Sequence, residues 1–164
     1  MNYIRVFEIM ASVLFGIYLF WVSMQDAKEL QVARYSHLLG VTAIVCMMVA
    51  RSVWRTEHVV GALDLWGTQL WEIVVIWVLQ FIGYKLRFYG LADVFTMGIC
   101  ATFYYFDSGR YQCLVFGVVL YAVSGILLLA IELARGNLKG WKLKQKVPYI
   151  PYIVVAFFLT KWVI

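Results

Sequence analysis

Two aspartates, Asp26 and Asp93, are the residues of this chain whose type and position best suit acid–base chemistry. Asp26 follows a long apolar run of residues, and Asp93 lies at the start of another. A carboxylate beside hydrocarbon is energetically costly, so it usually has a functional or structural reason to be there. Two carboxyl groups held close together can share one proton, because like-charge repulsion in a poor dielectric separates their titrations. The ionised carboxyl then acts as a general base on water while the protonated one polarises a carbonyl, which is the chemistry of aspartic peptide hydrolysis.

The elements that must position these aspartates are apolar helices. Of the 164 residues, 64% are hydrophobic and 14% are charged, and the mean hydropathy is +0.83. A soluble domain of this length needs far more polar surface to stay dispersed. We therefore predict an all-α fold: a single polytopic membrane helix bundle, covering residues 1–164, with about six transmembrane helices. The predicted spans are residues 6–24, 38–53, 65–84, 91–106, 111–133 and 147–164.

The fourth predicted span is too short to cross an ordinary bilayer upright. At a helical rise of ~1.5 Å per residue it covers about 24 Å, against about 30 Å of hydrocarbon. We expect this helix to lie inside the bundle or in thinned bilayer.

The number of crossings between the two aspartates predicts that they lie near the same membrane face. Asp26 follows the first span, Asp93 begins the fourth, and the chain crosses the membrane twice between them. The same count places Asp64 and Asp107 near the opposite face. Connectivity therefore selects Asp26 and Asp93 as a possible pair, whichever way the chain is inserted.

Both aspartates also have a purely structural interpretation. Either one could cap a helix, and Asp93 lies in the first turn of a predicted helix, where a carboxylate suits the helix dipole. Asp26 has Lys28 as a nearby candidate for an ion pair. On residue chemistry, the catalytic and structural interpretations both remain open.

Four further residues are predicted to contact a substrate backbone near the two aspartates. Gly90 can take a positive φ and lets another chain approach closely. The small side chain of Ala92 leaves space for that chain at the start of the fourth span. Pro148 and Pro151 open the sixth span on the same predicted face. We expect an extended stretch at residues 147–151 that helps to bind substrate.

Two of the remaining acids have a candidate partner nearby in the sequence, whereas Glu72, inside the third predicted span, needs a buried partner that the sequence does not identify. Glu132 lies three residues before Arg135, a spacing that favours an i,i+3 pair on a helix. Glu8 has Arg5 as its nearest candidate.

No metal or cofactor site is expected. The cysteines Cys46, Cys100 and Cys113 are isolated in or near apolar stretches, with no CxxC pair, which favours small buried residues over zinc ligands. His37 and His58 lie too far apart in the predicted topology to bind one ion.

The formal net charge of +5 is interpreted as loop charge that faces anionic lipid, not as a nucleic-acid surface. With the N-terminus outside, nine basic residues lie on the inner side and five on the outer, which favours extracytoplasmic N- and C-termini. The inner nine are Lys28, Arg34, Lys85, Arg87, Arg135, Lys139, Lys142, Lys144 and Lys146. The first span has no small-residue cleavage site after it, so we expect it to be retained and not removed as a signal peptide.

Taken in order, these motifs resemble the GxGD aspartyl proteases, specifically the type IV prepilin peptidases and the archaeal preflagellin peptidases. Asp26, followed six residues later by Val-Ala at residues 32–33, resembles the first family aspartate with its downstream Ile-Pro. Gly-Leu-Ala-Asp-Val at residues 90–94 resembles the family's Gly-x-Gly-Asp-Val at the start of the fourth span. Pro148 and Pro151 resemble the proline-bearing start of the last span. The order and spacing agree over nearly the whole chain.

The resemblance implies a multi-pass plasma-membrane endopeptidase with Asp26 and Asp93 as its catalytic pair. Such an enzyme cleaves the leader of pilin-like precursors at the cytosolic end of their N-terminal hydrophobic helix, without a cofactor. Ala92 stands where the family has its second glycine, which bears on backbone approach and substrate range. The chain lacks the methyltransferase region of the large bifunctional members, so no methylation is expected. The residues leave one rival interpretation, a non-catalytic membrane scaffold or small transporter with buried carboxylates, and they do not indicate an oligomeric state.

Overall fold

Six helices make up the described part of the chain. The computed structural model describes residues 2–58, 62–86, 90–108, 113–135 and 147–163, with the backbone alone at residues 2, 52–58 and 62–70. Within these ranges the structure is helical and contains no strand, which confirms the predicted all-α class. The helices are α1 (Asn2–Glu29), α2 (Ser36–His58), α3 (Ala62–Lys85), α4 (Leu91–Ser108), α5 (Cys113–Ala134) and α6 (Ile150–Val163).

Two of these helices are long and apolar enough to cross a membrane, namely Tyr3–Glu29 and Cys113–Ala134. Ser36–Arg51 and Ile150–Val163 are shorter apolar helices. In the most apolar stretch of the two longer helices, 28% and 22% of the residues are buried against the rest of the protein. The core helix of a soluble protein would be mostly buried, so these outward apolar faces favour contact with lipid.

Helix α4 is the centre of the bundle. It contacts α2, α3, α5 and α6, and every residue from 96 to 105 is buried. A helix buried on all sides needs small residues where neighbours approach closely, and a Cβ added to Gly98 would lie 2.7 Å from the Trp77 ring. The interior position expected for the short fourth span is therefore confirmed.

The end of α1 differs from the predicted end of the first span. The helix continues past residue 24 through Asp26 to Glu29, because Ala, Lys and Glu at residues 27–29 are good helix formers in water as well as in lipid. Leu30 then adopts a left-handed φ of 53°, and its N–H donates to the Asp26 carbonyl at 3.0 Å. This is the αL form of helix C-cap. It shortens the predicted polar connection and places Asp26 in the last helical turn.

Much of the predicted loop charge lies outside the described residues. This applies to the basic residues at positions 87, 110, 139, 142, 144 and 146, and to the side chains of Arg55, His58 and Asp64. The predicted orientation in the membrane stays a prediction.

Candidate active site

Asp26 is held in place by the start of a helix that lies more than a hundred residues further along the chain. Its side chain is almost buried, with 7% of the residue exposed. Its Oδ2 accepts the backbone N–H of Ile150, the first residue of α6, at 2.8 Å, and the amide of Tyr149 also interacts with the carboxyl. The first N–H groups of a helix have no partner within that helix and carry its positive dipole end. Asp26 therefore caps α6 across the bundle.

Asp93 caps its own helix. It lies in the first turn of α4, and its Oδ2 accepts the backbone N–H of Gly90 at 2.8 Å. This is the reverse bond of a capping box, in which an acidic side chain reaches back to the residue that precedes the helix. The structural interpretation of capping thus holds for both aspartates. Lys28 forms no ion pair with Asp26 within the described part of the chain.

The two aspartates lie at the same end of the bundle, as the count of crossings predicts. The carboxyl of Asp93 is close enough to that of Asp26 for the two charges to repel each other. Neither carboxyl hydrogen bonds to the other, and neither forms an ion pair with a described cationic side chain. An ionised carboxylate has about four lone-pair sites, so the capping bonds leave acceptor capacity for a water molecule or a peptide.

Gly90 and Ala92 flank Asp93 as expected, but Gly90 does not use the conformational freedom that the sequence analysis assigned to it. Its φ lies outside the left-handed region, and a Cβ added there would lie 3.3 Å from Oδ2 of Asp93. Gly90 therefore serves as an N–H donor beside the carboxyl, and it is exposed. Ala92 is half-buried against the core, and its carbonyl accepts the Thr96 hydroxyl at 2.9 Å.

The two prolines lie beside the Asp26 cap. Residues 147–149, including Pro148, are non-helical, while Pro151 is already in the first turn of α6. The extended stretch expected at residues 147–151 is thus two residues too long, because Asp26 supplies the acceptor that lets α6 begin at Ile150. Before the helix, the hydroxyl of Tyr149 lies 2.7 Å from that of Ser124 on α5, which fixes this segment to the bundle.

An aromatic and imidazole cluster joins α1, α2 and α4, and it was not predicted from the sequence. Nδ1 of His37 lies 3.0 Å from the hydroxyl of Tyr18, and the imidazole stacks on Phe95 with the ring centroids 5.4 Å apart. His37 is nearly buried, at 9% exposed. The signal in the sequence was a histidine directly before the second predicted span, which was weighed only as a metal ligand and rejected as one.

Glu132 forms the predicted local pair and one further contact. Its Oε1 lies 3.2 Å from Nη1 of Arg135, which confirms the i,i+3 pair. The same oxygen accepts the hydroxyl of Tyr152, in the first turn of α6, at 3.1 Å. Glu132 is 5% exposed, so α5 also helps to position the helix start that Asp26 caps.

The described residues contain no cluster of three or more His, Cys, Asp or Glu side chains that could hold a metal ion. The chain matches no protein-family model, no curated protein and no solved structure. The residues and their geometry are therefore the basis for assigning a function.

Proposed function

We propose that this chain is a multi-pass membrane protein of about six spans and that it is an aspartic endopeptidase with Asp26 and Asp93 as its catalytic pair. One observation carries the proposal. Two acids that are 67 positions apart in the sequence lie at one end of the bundle, where each accepts a backbone N–H at the start of a helix and where their charges repel each other. Buried and half-buried carboxylates without a cationic partner are costly, and such groups concentrate at functional sites.

The chemistry follows from the shared proton. The ionised carboxylate takes a proton from a water molecule, and the water oxygen attacks the peptide carbonyl, which is polarised by the protonated carboxyl. The resulting tetrahedral species collapses when the amide nitrogen receives a proton and leaves as an amine. The backbone N–H groups of Ile150 and Gly90 hold the two carboxyls in orientation. The roles of base and acid are interchangeable between Asp26 and Asp93.

The substrate class comes from the resemblance to the prepilin and preflagellin peptidases. It comprises pilin-like precursors with a leader in front of an N-terminal hydrophobic helix, which are cut at the cytosolic face of the plasma membrane. The residues that flank the pair, Gly90, Ala92, Pro148 and Pro151, line the approach of the substrate backbone. With the N- and C-termini outside, the Asp26 and Asp93 end faces the cytosol.

A second candidate function is a non-catalytic membrane scaffold or small transporter. The capping bonds favour it, because each aspartate already accepts a backbone N–H at the start of a helix, at 2.8 Å. In this alternative, the two carboxylates serve to start α4 and α6.

Cleavage of a precursor by purified protein separates the two candidates. The wild type, Asp26→Asn and Asp93→Asn are reconstituted with a precursor that has a leader and one hydrophobic helix, and the product is followed by mass spectrometry. Asp107→Asn is the matched control, because Asp107 lies at the opposite end of the bundle and pairs with Lys161. The protease proposal requires loss of cleavage in both catalytic variants, with melting curves like that of the control. Cleavage that survives in either variant refutes the pair.

A further inference from the structure

A groove between α3 and α5 has a composition that the proposed catalysis does not explain. It has a volume of about 250 Å³. We call it the α3–α5 groove. The lining residues used here are Ile76, Gln80, Gly83, Leu86, Gly117 and Val118.

The groove contains a buried polar group that lacks a partner. Gln80 is 5% exposed, and its Oε1 has no hydrogen-bond donor within the part of the chain that the structure describes. An unsatisfied buried acceptor costs about 1–3 kcal/mol. A lipid acyl chain has no donor, so lipid that fills the groove leaves Oε1 unsatisfied. Because Oε1 is fully covered, an occupant that brings a hydroxyl or amide donor removes this cost when the Gln80 amide turns towards the groove.

The length of the groove suits one face of a helix, whose side chains would fill it. At one end α3 and α5 touch closely, since a Cβ added to Gly117 would lie 2.4 Å from Cδ1 of Ile76. From Ile76 the lining continues along α3 to Leu86, a rise of about 15 Å, or roughly three helical turns. Helix interfaces within membranes combine small residues with an occasional polar side chain that bonds across the interface. Gly83 and Gln80 provide both on the α3 wall.

The groove leads towards the two aspartates. Leu86 follows the last residue of α3, and Gly90 and Asp93 follow it in the chain at the same end of the bundle. We infer that the α3–α5 groove docks the hydrophobic transmembrane helix of the protein substrate, with a hydroxyl or amide side chain of that helix donating to Gln80. This inference rests on the proposed function. A helix seated there presents the segment at its end to Asp26 and Asp93.

The first test fills the groove. Val118→Trp places an indole in it, and Val45→Trp on α2 is the matched control, because both valines are about half exposed, at 54% and 47%. We expect Val118→Trp to raise KM for a precursor with an intact hydrophobic helix by roughly tenfold, the size of a steric clash at a packed interface. Val45→Trp should leave KM unchanged. A short peptide that carries the cleavage site without the helix should be cut equally by both variants.

The second test removes the unsatisfied group. Gln80→Leu should raise the melting temperature, because it deletes a buried acceptor without a partner. It should also raise KM for the precursor by roughly three- to fifteenfold, the range of one hydrogen bond between membrane helices. A purely structural Gln80 would change the melting temperature and leave KM as it is, which overturns its docking role.

The outcomes separate this inference from the proposed function. If the wild type cleaves the precursor and Val118→Trp cleaves it with the KM of Val45→Trp, the docking groove is wrong and the protease stands. Equal impairment of Val118→Trp on the precursor and on the short peptide would assign the defect to the catalytic end and also overturns docking. If the wild type cleaves neither substrate, the proposed function fails and this inference fails with it.

Discussion

The acidic side chains at the two ends of the helix bundle have different kinds of partner. At one end, which we call the ion-pair end, Arg51 lies 3.1 Å from Glu8 and donates to the backbone carbonyls of Phe106 and Asp107. The Asp107 carboxylate in turn pairs with Lys161. Each acid named here has a cation beside it, and Arg51 also satisfies two of the last carbonyls of α4.

At the other end, the aspartate end, Asp26 and Asp93 accept backbone N–H groups and pair with no described cation. The neighbouring Glu132 does pair with Arg135, so a cation is not excluded from this end. A backbone N–H orients a carboxylate without cancelling its charge. The ion-pair end therefore uses acids to join helices, whereas the aspartate end holds two of them in position without a cation beside them.

The largest expected effect is at Asp26, where two substitutions separate the capping of α6 from the charge of the carboxylate. Asp26→Asn keeps an oxygen that can accept the Ile150 N–H, so its stability should stay close to wild type, while cleavage falls roughly 100- to 10,000-fold with the loss of the general acid or base. Asp26→Leu should lose cleavage as well and also about 1–2 kcal/mol of stability, because the α6 cap is lost. The measurements are precursor cleavage and chemical unfolding.

This pair of variants is its own control, because only the capping oxygen distinguishes them. If Asp26→Asn lowers the free energy of unfolding as much as Asp26→Leu does, the carboxylate charge itself stabilises the fold. The aspartate end would then use its acids as the ion-pair end does.

The ion-pair end should show the reverse behaviour. Arg51→Met should reduce the free energy of unfolding by about 2–3 kcal/mol, because a charged donor to two carbonyls and one carboxylate is lost. The Arg51 side chain is 31% exposed, which keeps the figure below that of a fully buried charge. Cleavage by the folded fraction should equal that of the wild type, measured at a temperature well below the melting point. A rate that falls more than the folded fraction would show that the two ends are coupled.

Periodicity and local spacing predicted much of this arrangement. Apolar runs predicted helices, the short fourth run predicted a buried central helix, and the crossing count placed Asp26 and Asp93 at one end. The pair between Glu132 and Arg135 was predictable because helix geometry alone brings i and i+3 together. These features depend on residues that are close in sequence or on the simple alternation of direction between helices.

Partners that depend on the rotation and tilt of packed helices were not predictable. Glu8 was expected to pair with Arg5, and this is wrong: it pairs with Arg51 of α2, which packs along α1. Glu72 was left without a partner by the sequence analysis, and the structure shows it capping α5 through the Leu114 N–H at 3.1 Å. Residue types and spacing do not encode which faces of two helices meet.

The backbone conformation of Leu30 allows a further test of the aspartate end. It is the non-glycine residue with a positive φ among those described, at 53°, and it directly follows the helix that carries Asp26. Leu30→Gly relieves roughly 1–2 kcal/mol of left-handed strain and adds roughly 0.5–1 kcal/mol of unfolded-state entropy. The net gain in unfolding free energy should therefore be about 0.5–1 kcal/mol. Leu30→Ala keeps the strain and is the control, for which denaturant unfolding should show no gain. A gain in both variants would locate the effect in the side chain.

The smallest expected effect tests whether water screens the ion pair between Lys161 and Asp107. The Lys161 side chain is 41% exposed, so its pair with Asp107 should contribute at most about 0.5 kcal/mol, as for other solvent-exposed pairs. A double-mutant cycle of Lys161→Met and Asp107→Asn measures this coupling directly from unfolding free energies. A coupling above roughly 1.5 kcal/mol would mean that the pair is shielded from water. In that case the ion-pair end lies deeper in the bilayer than its exposure indicates, and the cations there neutralise acids that hydrocarbon would otherwise not tolerate.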